Sequence, residues 1–363
     1  MAGTLDSDLE AWLTLSLTPG LGDETFRRLL VAFGGPQQIL AAKNSDLARV
    51  APGNVAVAVS KGPAPEQLRA VEAWLDDEAN RVVTLGDPVY PQAWLQITDP
   101  PPVLYVKGRV ELLNHAAFAI VGSRNATKQG IAQAESFARA LSDAGLTIVS
   151  GLALGIDAAA HRGGLAGTSS SVGVVGTGLD IVYPARNRDL AHELARDGAI
   201  VSEFALGTPP AAGNFPRRNR LISGLSRGCL VVEAALMSGS LITARMANEQ
   251  GKDVFAMPGS VHSPLAKGCH RLIKQGAKLA ESAEDILEEL KLPGVPRAQE
   301  ALATPVEPVA KRIFAELGFD PCDIDTLAAR SGAAAETLAA LVTQWEIEGL
   351  IEALPGGQYR RIR

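Results

Sequence analysis

Cysteine is scarce in this chain: three residues in 363 (Cys229, Cys269 and Cys322), far apart and with no CxxC pair. That excludes a disulfide framework and a cysteine-rich zinc site. The five histidines form no HExxH string, and His262, Cys269 and His270 lack the spacing of a metal site. No apolar run approaches the ~18–20 residues that span a bilayer. The N-terminal MAGTLDSDLE is acidic, without the basic-then-apolar order of a secretory signal. A cytoplasmic protein with no membrane partner is expected. Familiar enzyme strings are also missing, with no GxxxxGK[ST] and no GxSxG. Gly176-Thr177-Gly178 begins like a dinucleotide loop, but Asp180-Ile181 follow where a third glycine should approach. No catalytic residue, metal or cofactor is expected.

What is present is an ordinary globular balance, 47% hydrophobic and 20% charged, long enough for two or three domains. The net charge of −6 is unevenly spread. Residues 1–80 carry −5, residues 81–305 carry +2 and residues 306–363 carry −3. An anionic partner would therefore be met by the middle region, through a local patch.

Three modules are expected. Residues 1–78 read as short helices, with Leu9, Trp12, Leu13 and Leu15 at helical spacing, then Thr18-Pro19-Gly20-Leu21-Gly22, then Phe26, Leu29, Leu30 and Phe33. This resembles a helix-hairpin-helix (SAM-like) element. Asp23 and Glu24 follow the turn and would repel a phosphate, so a structural hairpin is favoured over a DNA contact. Residues 79–290 alternate strand and helix signals. Apolar runs at 81–85, 103–106, 116–121, 146–149, 171–175, 199–201, 229–232 and 253–257 are mostly separated by helical stretches. The fold class that follows is α/β: a Rossmann-like, doubly wound, mainly parallel sheet covered on both faces, with ligands at the carboxyl ends of its strands. Pro293, Pro296, Pro305 and Pro308 mark a linker over 291–307. Residues 308–363 read as three helices and a hairpin around Pro355-Gly356-Gly357, a winged-helix pattern. Its third helix carries Glu336, Glu346 and Glu348 with no Lys or Arg, which points to packing or protein contacts rather than major-groove reading.

The middle module has three glycine-rich turns where strands end and helices begin: Gly122-Ser123-Arg124, Ser150-Gly151-Leu152-Ala153, and Ser238-Gly239-Ser240. Backbone N–H groups at such turns, with a guanidinium beside them, suit a phosphate. Together they predict a phosphate-lined rim, although each turn alone could need Gly and Ser only for capping. Asp157, near a helix start, reads as a cap rather than a catalytic acid.

The sharpest local feature is Asn214-Phe215-Pro216-Arg217-Arg218-Asn219-Arg220. From Phe204 to Val232 there are four arginines and no acid. An aromatic ring beside clustered arginines is the pairing that single strands need, a π-face for a base and cations for phosphates. A core ring beside a solvated arginine face fits the composition as well.

At these residues the sequence resembles the DprA family (DNA-processing protein A, also called Smf). The strings are AIVGSRNATKQG, IVSGLALGIDAAAH, GTGLDIVYPARN, IVSEF, FPRRNRLISGLS, VVEAALMSGSLITA and VFAMPG, in order from about residue 117 to 280. The resemblance implies a protein that binds single-stranded DNA without strong sequence preference. It implies help in loading a RecA-type recombinase, in natural transformation and homologous recombination, with no catalytic step. It implies a homodimer through the Rossmann-like domain. By position, Gly122, Ser123 and Arg124 would form the phosphate turn and Phe215 would contact a base. Arg217, Arg218, Asn219 and Arg220 would line the groove, and Lys252 would add a cation. Gly151, Asn214, Ser238, Gly239 and Ser240 complete the candidate set. Some relatives carry a lysine shortly before the phenylalanine; Ala211-Ala212-Gly213 stand here, so one phosphate contact is expected to be absent. The rival is a nucleoside-monophosphate hydrolase on a related fold, but its PGGxGTxxE string is missing from the region Glu233–Thr243.

Overall fold

A computed structural model describes residues 5–292 and 308–362. Most of the expected linker, 293–307, lies outside the described residues.

Six helices come first: α1 (Ser7–Ser16), α2 (Asp23–Phe33), α3 (Pro36–Ala41), α4 (Asn44–Leu47), α5 (Gly53–Lys61) and α6 (Pro65–Leu75). The Thr18–Gly22 segment connects α1 to α2, as its Pro-Gly pair demands. Trp12, Leu13, Phe26, Leu29 and Ile39 form one apolar cluster with Val82, Val103 and Tyr105 of the sheet that follows. The helical module is thus joined to the sheet by shared core.

The middle region runs β1 (Asn80–Thr84), β2 (Val103–Gly108), β3 (Ala117–Val121), α7 (Lys128–Asp143), β4 (Thr147–Ser150), α8 (Ile156–Ala166), β5 (Ser171–Val174) and α9 (Arg188–Asp197). It continues β6 (Ala199–Ser202), α10 (Asn214–Leu225), β7 (Gly228–Val231), α11 (Ser240–Glu249), β8 (Asp253–Ala256), α12 (Lys267–Lys274), β9 (Lys278–Leu279) and α13 (Ala283–Glu289). These strands form one nine-stranded sheet in the order β1-β2-β6-β5-β4-β3-β7-β8-β9. It is parallel from β6 to β9, and β2 runs antiparallel to both β1 and β6. The continuous apolar runs have a direct cause. Successive side chains leave opposite faces of a strand, and both faces are covered. Ala117, Ala119 and Val121 pack with Leu221, Ile222 and Leu225 of α10 and Ala244 and Ala247 of α11. Phe118 and Ile120 pack on the other side with Phe137 and Leu141 of α7 and Ile156 of α8.

The chain builds leftward from β3 to β4, β5 and β6, then crosses back to lay β7 on the other side of β3. The switch point therefore falls between β3 and β7, and the crevice beyond their carboxyl ends is where open α/β sheets hold ligands.

The C-terminal module holds α14 (Pro308–Leu317), β10 (Cys322–Asp323), α15 (Ile324–Ser331), α16 (Ala335–Ile347), β11 (Ile351–Leu354) and β12 (Gln358–Arg361). Its core gathers Ile313, Leu317, Leu327, Leu338, Val342, Trp345 and Ile351. Three helices and a small antiparallel sheet make it a winged helix. Two strands escaped the sequence reading, β9 and β10. Each has two residues and is too short to carry a period.

Candidate nucleic-acid interface

A cleft of about 600 Å³ opens at the switch point. The turn after β3 supplies Gly122, Ser123, Arg124 and Asn125; the turn after β7 supplies Met237, Ser238, Gly239 and Ser240; α10 supplies Phe215, Arg218 and Asn219. Asn125 N–H donates to Ser123 Oγ (3.1 Å), which tightens the first turn. Thr127 then caps α7 by accepting from Gly130 N–H. Glu233, just past β7, accepts from Thr127 N–H (3.0 Å) and Oγ1–H (2.7 Å), so the two turns are tied together. Ser238 and Ser240 hydroxyls lie 2.7 Å apart at the start of α11. Arg124 is exposed, and its guanidinium lies over the Phe215 ring, 5.6 Å from the centroid. Tyr183 meets the same ring, with centroids 5.7 Å apart. Two rings and an arginine, from the turn after β3, the loop before α9 and the first turn of α10, thus meet at the cleft mouth.

Helical geometry divides the arginine string. Phe215, Arg218, Asn219 and Ile222 recur at i, i+3, i+4 and i+7 and share the cleft face of α10. Arg217 and Arg220 fall on the opposite face. There Arg217 Nη2 meets Asp23 of α2 (2.5 Å) and Glu203 (3.0 Å). Arg220 meets the same Glu203 carboxylate (2.6 Å) and Asp99 (3.4 Å). Asp99 also pairs with Arg27 of α2. The Glu203 side chain is fully buried between its two arginines. Burial pushes its carboxyl pKa up, and the arginine charges only partly offset this. These two arginines anchor the helical module to α10. Asp23 is the acid that the sequence reading took as a repeller of phosphate; here it holds Arg217.

Arg218 is 4% exposed and lies at the cleft floor. Its Nη1 donates to Gly151 O (2.6 Å) and to Val174 O, joining the ends of β4 and β5. Among the described residues its buried Nε has no hydrogen-bond partner. Burial lowers its pKa to about 10 against the opposing pull of Asp157. Gly151 is the room for that guanidinium: a Cβ there would lie 2.1 Å from Arg218 Nη1.

The turn after β4 is closed on itself. Gly151 and Ala153 N–H donate to Asp157 Oδ2 (3.2 and 3.4 Å), and Leu152 N–H donates to His161 Nε2 (3.2 Å). Leu152 takes a left-handed φ of 57° to allow this. Asn187 Nδ2 binds the Leu152 and Ala153 carbonyls (2.9 and 3.1 Å). Because His161 Nε2 accepts, its Nδ1–H donates to Ser171 Oγ (2.7 Å), whose own proton goes to Ile148 O (2.7 Å). The imidazole is neutral, its pKa driven down to about 3 by burial first and then by the Arg218 and Arg162 charges. Asp157 is raised by burial, opposed by Arg218 and the two amides. The three amides of this turn face inward, away from any phosphate.

Of the candidate set, the cleft therefore gathers Gly122, Ser123, Arg124, Phe215, Arg218, Asn219, Ser238, Gly239 and Ser240. Gly151 lies beneath Arg218, and Asn214 donates to Gly176 O (3.0 Å). Lys252 lines a separate groove of about 500 Å³ with Arg245 and Arg271, and partial burial lowers its pKa. Sequence reasoning missed Asp157 and Met237 as lining residues and Tyr183 as a neighbour of Phe215. All three stand inside strings quoted for the resemblance, but only the fold shows what they touch.

The doubly wound sheet with its switch-point cleft and the winged helix define a Rossmann-like α/β protein carrying a winged-helix module. Comparison with known proteins takes this further. The family model described as DNA recombination-mediator protein A matches residues 81–291, and that of the DprA winged helix domain matches residues 296–357. The chain belongs to the DprA family of DNA recombination mediators. Protein Smf of Escherichia coli is 42% identical over 302 residues, 80% of this chain and 79% of that protein. The DprA of Streptococcus pneumoniae is 45% identical over 205 residues, 56% of this chain and 72% of that protein. Its X-ray structure superposes with a TM-score of 0.68 at 35% identity, covering 79% of this chain and 99% of that one. A Helicobacter pylori DprA structure, described for its single-stranded DNA binding mode, gives a TM-score of 0.53 at 31% identity over 58% of this chain and 96% of that one. Among the described residues, no helix is long and apolar enough to cross a membrane.

Proposed function

We propose that this protein binds single-stranded DNA in the switch-point cleft, without strong sequence preference, and promotes loading of a RecA-type recombinase on the strand in recombination and transformation. The observation that carries the reading is the exposed Arg124 guanidinium beside the Phe215 ring at the cleft mouth. A cation for a phosphate next to a π-face for a base suits an unpaired strand and reads little sequence. The Helicobacter pylori relative and the recombination-mediator family support it. Pairing through the Rossmann-like domain, as the resemblance implies, would set two such clefts on one strand. Arg217 and Arg220 have an anchoring part in this reading, and Arg218 supports the cleft floor.

The test is fluorescence anisotropy with labelled oligo-dT and a duplex of equal length across a salt series. Oligo-dT should bind and the duplex should bind far less. Arg124→Ala should weaken binding and flatten the log–log salt slope by about 0.7, the value for one single-strand phosphate contact. Absence of oligo-dT binding at low salt would overturn the reading. Recombinase loading is tested separately, as faster filament growth on strands coated with single-strand-binding protein.

A further inference from the structure

Tyr183 is 44% exposed and belongs to none of the apolar cores. Among the described residues its one ring contact is with Phe215, at 5.7 Å between centroids and 36° between planes. An exposed tyrosine normally turns its ring edge to water unless a neighbour holds it. Here the neighbour is the ring that the proposed function gives to a base. The short segment after Tyr183 carries Arg186 and Arg188, both exposed and with no ion pair among the described residues. Asn187 between them is buried and pins the segment to the turn after β4 through its bonds to Leu152 and Ala153. The segment is therefore held in place while its aromatic and cationic side chains face solvent. Aromatic rings interleaved with guanidinium groups make a stacking track for successive bases.

We propose that Tyr183 is a second base-stacking residue, which receives the nucleotide next to the one on Phe215 and carries the strand out of the cleft toward α9. This rests on the single-stranded DNA reading. It gives the path a direction, because Tyr183 touches Phe215 on one side and continues through Pro184 and Ala185 into the segment that carries Arg186 and Arg188.

The experiment uses the full-length protein and oligo-dT. Tyr183→Leu should weaken binding about five-fold or more, the low end for losing one base–ring stack. The salt slope should stay as in wild type, since no phosphate contact is lost. Tyr183→Phe should restore wild-type affinity, because the ring and not the hydroxyl does the stacking. Tyr183→Trp adds a fifth tryptophan to the four present, and its emission should be quenched as oligo-dT saturates the protein. Wild-type affinity for Tyr183→Leu, with Phe215→Ala clearly weakened, would overturn the second stack and leave the first standing. Unchanged emission of the Trp variant at saturation would overturn it as well. Failure of the wild type to bind oligo-dT would instead sink the reading on which both rest.

Discussion

Two glycine-rich turns lie side by side at the carboxyl ends of β3 and β4, and their fates differ. Gly122-Ser123-Arg124 leaves its arginine in solvent beside Phe215. Ser150-Gly151-Leu152-Ala153 gives all three of its last amides to Asp157 and His161, and its Gly151 carbonyl to Arg218. Both match the pattern of a phosphate cradle. What separates them is the buried charge beneath the second turn. A guanidinium, a carboxyl and a neutral imidazole within one desolvated pocket need internal partners, since an unmet buried polar group is costly. The second turn supplies those partners and so becomes scaffold, while the first remains free to meet a ligand.

The comparison breaks most severely at Arg218. Arg218→Ala removes the clasp of β4 and β5 and leaves Asp157 buried without its opposing charge. A loss of about 3–5 kcal/mol is expected in urea unfolding, the range for removing one partner of a buried charge pair. A loss below about 1 kcal/mol would contradict the scaffold role. Gly151→Ala forces a methyl group into the same guanidinium, and a loss of about 1–3 kcal/mol is expected from overpacking.

His161 sharpens the comparison through pH. Its folded pKa of about 3 lies below the ordinary 6.5. Between those values the unfolded chain binds a proton that the folded chain refuses, so stability falls as pH drops from about 6.5 toward 3. The slope from this one group approaches about 1.4 kcal/mol per pH unit. The raised carboxyls of Asp157 and Glu203 act in the opposite sense and remain in a His161→Gln variant. That variant should therefore lose less stability between pH 6 and pH 4 than wild type, measured as urea midpoints. Equal acid sensitivity would argue against a neutral buried His161.

The smallest effects on stability are expected on the exposed sides. Arg217→Ala should cost about 1 kcal/mol, since its guanidinium is half-exposed and Arg220 still meets the buried Glu203 carboxylate. Its salt slope for oligo-dT should match wild type, because Arg217 faces α2 and not the cleft. Arg124→Ala should leave the unfolding midpoint within about 0.5 kcal/mol of wild type while flattening that slope. If Arg217 and Arg124 exchanged behaviour, the division of α10 into two faces would be wrong.

Much of this was legible in the chain. Period-2 runs with both phases apolar, such as Ala117–Val121, announce a strand covered on two faces, and eight of the nine strands of the large sheet carry that kind of signal. Lys278–Leu279 does not, because its existence depends on pairing with Phe255 and Ala256 rather than on its own composition. The winged helix was readable from three helical periods and a Pro-Gly-Gly hairpin. Arg124, too, was readable, since it stands in the glycine turn that follows a buried strand and therefore at the sheet edge.

The arginine string shows where local reasoning stops. Contiguity suggested one groove, and a 3.6-residue period already implies that Arg217 and Arg220 leave Arg218 on another side. The period alone does not say what each side meets. Asp23 is 194 positions from Arg217, and Gly151 is 67 from Arg218. Lys252 is likewise in a second groove for reasons of sheet order. Strand and helix patterns are local properties of side-chain spacing, so the chain's own pattern sufficed for the layers, the carboxyl edge of the strands and the chemistry available there. Which guanidinium is buried, which is anchored and which stays free depends on distant charges brought together by chain crossing, which the folded packing alone sets.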